Sequence, residues 1–142
     1  MNTFQDLETF TAIFFDRHWP HDDFNELRPT WIVWKPFLHG PVPNHKFAGC
    51  YALFKDNELV YIGHGASRGG GRYEHHGIGR RVMAHIIASD KQRGAEWSKL
   101  RERWIDINGF YSIALPHTLA YLSSSLETYL IRTLPTDRNR NV

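Results

Sequence analysis

The chain has 142 residues, of which 42% are hydrophobic and 14% aromatic, so it can bury the core of one globular domain. The formal net charge is only +2, but nine histidines and a pI near 8.8 leave room for a basic face, which suits a nucleic-acid partner without requiring one. The single cysteine, Cys50, excludes an internal disulfide and a zinc cluster of several cysteines.

The N-terminal residues predict an amphipathic helix over residues 3–16. Thr3 and Asp6 form an N-terminal capping pattern. Apolar residues follow at helical spacing, namely Phe4, Leu7, Phe10 and Phe14. Because this stretch carries acidic residues and no long apolar run, it predicts neither a signal peptide nor a membrane span. We therefore expect a soluble protein of the cytoplasm with no membrane partner.

Residues 18–44 predict a turn, a short strand and a loop. Two histidines and two aspartates lie within residues 18–23, where a solvated turn is the more common interpretation than a metal site. Residues 30–35 form a β-rich run that Pro36 ends, and packing explains Trp31 and Trp34 better than stacking on bases does. Residues 1–44 are thus predicted to form an extension packed on the core, where the run can add an edge strand. The rest, residues 45–142, forms the main domain.

Two apolar runs, residues 49–54 and 59–63, flank a turn-forming Asp-Asn pair and predict a β-hairpin. If residues 54 and 58 pair around a three-residue loop, Tyr51 lies opposite Tyr61 and both rings share a face. If residues 55 and 58 pair instead, the register slips by one and the rings separate. We favour the first register because it gathers one apolar face, namely Cys50, Ala52, Phe54, Val60 and Ile62. It sets Leu53 and Leu59 beside the tyrosines.

A segment rich in glycine and arginine, residues 65–77, follows the hairpin. Three consecutive glycines with Arg68 and Arg72 suit a loop that moulds onto a phosphate backbone, and a flexible connector is an equally good interpretation. The segment lacks the Gly-Lys-Ser/Thr ending and the Gly-x-Gly-x-x-Gly frame of nucleotide-binding loops.

The C-terminal half predicts three helices and one strand. The first helix, residues 78–91, has a buried stripe of Ile78, Val82 and Ile86 and places Arg81 and His85 on one face. A second helix over residues 95–103 turns three large side chains inward, namely Trp97, Leu100 and Trp104. Residues 109–115 predict a third strand, residues 119–134 a last helix and residues 135–141 a polar coil. The predicted class is α+β, with a small central three-stranded antiparallel sheet flanked by helices.

These elements resemble the GIY-YIG nuclease superfamily. The two halves of the family signature are similar to Gly-Cys-Tyr at 49–51 and Tyr-Ile-Gly at 61–63. An arginine with a histidine four residues later, a glutamate on a later helix and an asparagine near the end complete it; here they look like Arg81, His85, Glu127 and Asn139. The resemblance covers about residues 47–141, and the order of the motifs makes it specific.

The resemblance implies a divalent-metal-dependent endonuclease that hydrolyses phosphodiester bonds of DNA, with RNA not excluded. It implies one Mg²⁺ or Mn²⁺ ion per active site on Glu127, an Arg81 that grips the scissile phosphate, and Tyr51 as the general base. Because an unperturbed phenol has a pKa of about 10, Arg81, His64 or the cation must stabilise the phenolate. One active centre per chain also suits a homodimer for cutting both strands.

Other residues receive supporting roles from the same resemblance. Tyr61 would position water or phosphate, His85 would relay a proton or contact phosphate, and Asn139 would brace the end of the sheet or the waters of the metal. Nucleic acid would also contact four basic residues, namely His64, Arg68, Arg72 and Arg80. The family type suits a restriction enzyme or a nuclease of a phage or mobile element.

Several positions leave alternatives open. Arg80 rivals Arg81, Asn141 rivals Asn139, and Glu127 also fits a capping box that begins a helix. Cys50 replaces the isoleucine of the first motif, and the spacing between the second motif and the arginine is longer than usual. A catalytically inactive nucleic-acid-binding or interaction module on the same fold is the alternative function, and a zinc-binding protein built on the histidines is a weaker one.

Overall fold

The computed structural model describes residues 1–20, 25–66 and 77–140, and it has the mixed α+β class that the sequence predicts. In chain order the elements are α1 Phe4–His18, β1 Ile32–Val33, β2 Gly49–Lys55, β3 Glu58–Gly65, α2 Ile78–His85, β4 Ile87–Ser89, β5 Ser98–Leu100, β6 Gly109–Ala114, α3 Leu122–Thr133 and α4 Asp137–Arg140. Short 3₁₀ turns occupy Glu102–Trp104 and His117–Leu119. Within the described ranges, no helix is both long and apolar enough to cross a bilayer.

The main sheet has four antiparallel strands in the order β1-β6-β2-β3, and β4 and β5 form a separate two-stranded sheet. The three strands predicted from residues 49–63 and 109–115 are its β2, β3 and β6. The fourth is β1, which pairs Ile32 with Ser112 at one edge. The main sheet therefore has one strand more than the predicted central three, and the added strand is the edge strand that the sequence allowed for residues 30–35.

The main sheet separates two hydrophobic cores. On one face α1 and α3 contribute Leu7, Phe14, Phe15, Leu126 and Leu130, which meet Cys50, Ala52, Phe54, Leu59, Ile62 and Ile113 of the strands. On the other face α2 and the segment after it contribute Ile78, Val82, Ile86, Ile87 and Trp104, which meet Tyr51, Leu53 and Phe110. Because side chains alternate along a strand, β2 supplies both cores.

The first helix forms as predicted. The Thr3 side chain accepts from the Asp6 amide while the Asp6 carboxylate accepts from the Thr3 amide, which is a complete capping box. Leu7 and Phe14 are buried on the predicted stripe. The Trp31 indole donates to Thr11 over 3.0 Å inside the core, so Trp31 packs as expected.

The hairpin turn differs from the favoured prediction. Lys55 pairs with Glu58, so the loop has two residues instead of three. Its two residues, Asp56 and Asn57, have positive φ angles of 49° and 68°, as in the type I′ turn that matches the twist of paired strands. The favoured pairing of Phe54 with Glu58 was therefore wrong.

A β-bulge nevertheless keeps the two tyrosine rings on one face. The register shifts between Leu53 and Phe54, so that Leu53 pairs with Tyr61 and Tyr51 pairs with Gly63. Without a bulge, the pairing of Lys55 with Glu58 would place the two rings on opposite faces of the sheet. The extra residue of the bulge shifts the register by one, which returns Tyr61 to the face of Tyr51.

The bulge also exchanges two residues between the faces. Leu59 packs in the core of α1 and α3, whereas Val60, the extra residue, packs on the side of α2. The sequence prediction had these two residues the other way round.

The segment after α2 was predicted incorrectly as helix. Although Ile78, Val82 and Ile86 are buried as predicted, the first helix ends at His85 and not at residue 91. Ile87 then pairs with Leu100 in the β4–β5 hairpin, where a second helix was expected. The β-branched pair at 86–87 and this long-range pairing override the helical periodicity.

The C-terminal region follows the prediction in part. The stripe Leu119, Leu122, Leu126 and Leu130 is buried, but α3 begins at Leu122, after a 3₁₀ turn. The tail is not coil throughout, because residues 137–140 form the short helix α4.

Candidate active site

Tyr51 lies on β2 with its ring directed toward α2, and only 1% of the residue is exposed. Its cross-strand partner is Gly63, and the ring lies across that glycine, where a side chain would collide with it. The ring also stacks on Phe110, with the ring planes 6° apart. The phenol is therefore fixed from both sides by β3 and β6.

Tyr61 extends this row of rings along the edge strand β3. Its ring centroid lies 6.2 Å from that of Tyr51, and each phenol influences the pKa of the other. On its other side the Trp104 ring meets it edge to face at 4.8 Å. Tyr61 is half-buried, so of the two phenols it is the more accessible to solvent.

Arg81 reaches the phenols from α2. Its guanidinium acts on Tyr51 both as a charge and as a hydrogen-bonding group, and its charge also acts on Tyr61. Arg80 is exposed beside it. Arg81 is also exposed, so its effect on the phenols, and not its burial, distinguishes it from Arg80.

The start of α2 is held against the segment before β2. The Ile78 amide donates to the Phe47 carbonyl over 2.9 Å, and a Cβ at Gly77 would collide with that carbonyl. Glycine at position 77 therefore lets the helix begin close enough to the sheet for Arg81 to meet the phenols. No sequence motif marked residue 77 for this purpose.

His85 occupies the last turn of α2, one turn beyond Arg81. Its side chain is exposed, and its backbone carbonyl accepts from the Trp104 indole over 3.1 Å. The spacing of four residues keeps both side chains on one face, as predicted.

Glu127 approaches from α3, on the opposite face of the sheet, in the middle of the helix. Since α3 begins at Leu122, the capping alternative for Glu127 was wrong. The carboxylate Oε1 lies 2.9 Å from the His64 Nδ1, and the side chain is 22% exposed. His64 was expected to bind nucleic acid, and in the free protein its side chain contacts Glu127.

Burial, more than the neighbouring charges, raises the pKa of both tyrosines. Burial raises the pKa of Tyr51 well above its ordinary value, Tyr61 and Glu127 raise it further, and Arg81 lowers it only in part. Burial and Glu127 likewise raise the pKa of Tyr61, against the opposing charges of Arg81 and Arg103. Both phenols are therefore neutral at physiological pH in the free protein.

Asn139 braces the edge of the sheet next to the site. Its Oδ1 accepts from the Ile62 amide over 3.0 Å, and its Nδ2 donates to the Ile62 carbonyl over 2.9 Å. This pair of bonds satisfies the free edge of β3 between Tyr61 and Gly63. Of the two roles that the sequence suggested for Asn139, the brace is the one with a contact.

Cys50 lies on β2 and faces the core that α1 and α3 form. It is fully buried, and its thiol donates to the Ser123 carbonyl of α3 over 3.3 Å. Burial raises the pKa of the Cys50 thiol. The residue therefore joins β2 to the helix that carries Glu127.

The remaining predicted residues lie outside the described part of the chain. Arg68 and Arg72 belong to the segment 67–76, and Asn141 belongs to residues 141–142. The same holds for His21 and the two aspartates of the N-terminal cluster.

Trp104 and Arg103 are two members of the site that sequence reasoning missed. The sequence predicted only that Trp104 turns inward, yet its ring meets Tyr61, and the charge of Arg103 acts on the same phenol. Both residues lie on the 3₁₀ turn after β5. The sequence analysis predicted a helix over residues 95–103, so it did not place them near Tyr61. The only available signal was the stretch Arg-Glu-Arg-Trp itself.

The residues present fit a single hydrated divalent ion. No group of three or more histidine, cysteine or acidic residues gathers within the described ranges. Magnesium keeps several waters and takes one or two carboxylates, so it does not need such a group. Glu127 uses Oε1 for His64, and a carboxylate can accept at its other oxygen as well.

Comparisons of this chain with protein-family models, with curated proteins and with solved structures find no match. Any function must therefore be argued from the geometry of these side chains. Two phenols, a guanidinium and one carboxylate from four different elements act on one another at the end of β3. Such an arrangement can bind an anionic group, orient a water molecule and hold a cation next to both.

Proposed function

We propose that this protein is a divalent-metal-dependent endonuclease that hydrolyses phosphodiester bonds of DNA in the manner of the GIY-YIG nucleases it resembles. The observation that carries this proposal is the convergence of Tyr51, Tyr61, Arg81 and Glu127, which are far apart in sequence. Chance packing of the hairpin would account for the two rings alone, but not for the guanidinium and the carboxylate that join them.

Arg81 would bind the scissile phosphate. A guanidinium presents a planar set of donors that matches two phosphate oxygens, and its charge opposes the negative charge that grows in the transition state. Arg81 already acts on Tyr51 in the free protein, so its guanidinium would be near the phenols before substrate arrives. Preorganisation of this kind avoids a reorganisation cost during the reaction.

Glu127 would hold one magnesium or manganese ion, and His64 would orient its carboxylate. The bound ion would supply Lewis-acid stabilisation of the phosphate and would offset the carboxylate charge that raises the pKa of both phenols. Hydrogen-bonded carboxylates are the usual ligands of such ions in proteins.

The phenols would handle the attacking water. Tyr61 is half-buried and would contact the water, while Tyr51 supports the Tyr61 hydroxyl from within the core. A base role for Tyr51 requires the positive charges of the substrate-bound site, because burial favours the neutral phenol in the free protein. His85 is exposed on the face of Arg81 and would relay the proton to the leaving oxygen.

DNA recognition would come from surfaces around this site. The N-terminal extension, the segment 65–77 and a second copy of the chain are the candidates for sequence recognition and for cutting the second strand. RNA is the other substrate that phosphate chemistry alone admits. A restriction-type enzyme or a nuclease of a phage or mobile element would use such a compact chain.

An inactive nucleic-acid-binding module on the same fold is the second candidate. The observation that favours it is the near-complete burial of Tyr51, which makes the phenolate costly. The two candidates share Arg81 and its phosphate contact. They differ in whether the phosphate is cleaved.

Incubation of supercoiled plasmid with the protein in magnesium, in manganese or in EDTA tests the proposal. The wild type should nick or linearise the plasmid only with a metal ion. Glu127→Ala and Tyr51→Phe should each slow cleavage by at least about 100-fold, the scale of a lost catalytic group. Glu102→Ala, which removes an exposed carboxylate, is the matched control.

Two results would decide against the endonuclease. If Glu127→Ala cut the plasmid as fast as the wild type, the carboxylate would have no part in catalysis. If the wild type bound DNA but left it intact with either metal, the inactive module would be the better description.

A further inference from the structure

Three aromatic rings form a row that ends at the 3₁₀ turn Glu102–Trp104, namely Tyr51, Tyr61 and Trp104. Tyr61 lies between Tyr51 at 6.2 Å and Trp104 at 4.8 Å, measured between ring centroids. Trp104 is 2% exposed, and its indole donates to the His85 carbonyl at the end of α2. The turn is therefore attached to the same helix that carries Arg81.

Arg103 is stacked at the outer end of this row. Its guanidinium carbon lies 4.8 Å from the centre of the Trp104 ring, and the residue is exposed. Stacking on an indole orients the flat face of a guanidinium and leaves its N–H edge for other partners. The charge of Arg103, like the charge of Arg81, also lowers the pKa of Tyr61, so the guanidinium is near enough to act on that phenol.

Arg103 differs from its basic neighbours because, among the described residues, its side chain has neither a hydrogen bond nor an ion pair. Arg101 donates to the Met83 carbonyl over 2.7 Å. Arg138 forms an ion pair with Asp106, whose pKa this contact lowers. A preoriented guanidinium next to a phenol, with no partner within the described ranges, can bind an incoming anion.

We infer that Arg103 is a second phosphate-binding residue of this site, which holds the nucleic-acid backbone at Tyr61 while Arg81 holds it at Tyr51. This inference rests on the proposed function, since it takes a phosphodiester as the anion. Two guanidiniums from separate elements would fix the direction of the strand through the site, which a single arginine cannot do.

The test measures binding of two short fluorescent DNA duplexes of unrelated sequence by anisotropy, in EDTA so that no cleavage occurs. Arg103→Ala should weaken binding of both duplexes equally, by about 10-fold, and should make the slope of log affinity against log salt shallower by about one phosphate contact. Arg103→Lys keeps the charge but loses the planar fork, so its affinity should fall between those of the wild type and the alanine variant.

Arg93→Ala is the matched control, because Arg93 also stacks on a tryptophan, 3.3 Å from the centre of Trp97, on the β4–β5 hairpin. Its affinity and salt slope should equal those of the wild type. Plasmid cleavage with magnesium is measured on the same four proteins, and thermal unfolding checks that each is folded.

The outcomes separate the two proposals. If the wild type cuts DNA and Arg103→Ala binds and cuts it as Arg93→Ala does, the inference on Arg103 is overturned while the nuclease stands. If Arg103→Ala loses affinity with an unchanged salt slope, Arg103 supports the fold of the site and does not bind phosphate. If the wild type neither binds nor cuts DNA, the proposed function falls and Arg103 with it.

Discussion

The ring of Tyr51 lies directly over Gly63, its partner on the neighbouring strand. A Cβ at position 63 would stand 2.5 Å from the Tyr51 hydroxyl and 2.8 Å from its Cε1. The glycine of the second motif therefore has a steric purpose, because any side chain there would displace the phenol from Tyr61 and Arg81.

Gly63→Ala should remove activity and lower stability together. The methyl group forces the Tyr51 ring away from its place against Phe110, and overpacking of this kind costs about 1–3 kcal/mol in the free energy of unfolding. Plasmid cleavage should fall to the level of Tyr51→Phe. Urea denaturation measures the first effect and the plasmid assay the second.

Gly40→Ala is the control for that experiment. Gly40 has a φ of 74° with open space around a Cβ, so alanine should cost about 1 kcal/mol through backbone strain but touch no catalytic group. Its cleavage rate should stay near that of the wild type. Equal losses of activity in the two variants would mean that stability, and not the position of Tyr51, limits cleavage.

The hairpin shows what local sequence can and cannot predict. Asp56 and Asn57 mark a turn, and alternation predicts two faces. The face of each residue after the turn depends on the bulge at Val60, which no local pattern marks. The prediction made the loop one residue too long and contained no bulge. These two errors compensate for the face of Tyr61, which was predicted correctly, but not for the face of Leu59.

The structure of the region after α2 was harder to predict from the sequence, because it depends on residues that are distant along the chain. Ile87 and Leu100 pair across a hairpin, and the Ser98 amide donates a hydrogen bond to the Leu38 carbonyl, sixty residues away. Apolar spacing over residues 95–103 fits a helix equally well. The position of Arg103 beside Tyr61 could not be predicted without this pairing.

Asn139→Ala should loosen the edge strand beside the site. The substitution removes both bonds to Ile62 and leaves a partly buried amide without its acceptor, which should cost about 1–3 kcal/mol in stability. Hydrogen exchange at the Ile62 amide should accelerate, because the acceptor that protects it is lost.

Asn108→Ala is the matched control for Asn139, since Asn108 makes a similar pair of amide contacts with Asp56 at the exposed end of the hairpin. Its cost should be below about 1 kcal/mol. Unchanged exchange at Ile62 in Asn139→Ala would contradict the bracing role.

Stability should decline in alkaline solution because of Tyr51. Its pKa is raised in the folded protein, so above about pH 10 the unfolded chain releases this proton while the folded protein keeps it. The free energy of unfolding should therefore be flat at neutral pH and fall as the pH rises past that value. Urea denaturation between about pH 8 and about pH 11 measures this slope.

Tyr51→Phe should make that alkaline decline shallower, whereas Tyr121→Phe, which removes an exposed phenol, should leave it in place. Tyr61 contributes to the decline in the same direction, because its pKa is raised as well. An identical alkaline slope in wild type and Tyr51→Phe would mean that the phenol is not desolvated in solution.

His64→Ala should weaken the response to magnesium without unfolding the protein. The His64 Nδ1 lies 2.9 Å from Glu127 Oε1, and loss of a hydrogen-bond donor to a metal-binding carboxylate commonly costs about 10–100-fold in metal affinity or activity. The magnesium concentration for half-maximal cleavage should rise accordingly. His64→Gln keeps a donor, so its half-maximal magnesium concentration should lie between those of the wild type and His64→Ala.

His117→Ala is the control: it changes an exposed histidine on the 3₁₀ turn before α3 and should behave as the wild type. Since the position of Glu127 is set by α3 as well as by His64, a variant that loses activity at every magnesium concentration would instead place His64 in contact with the DNA.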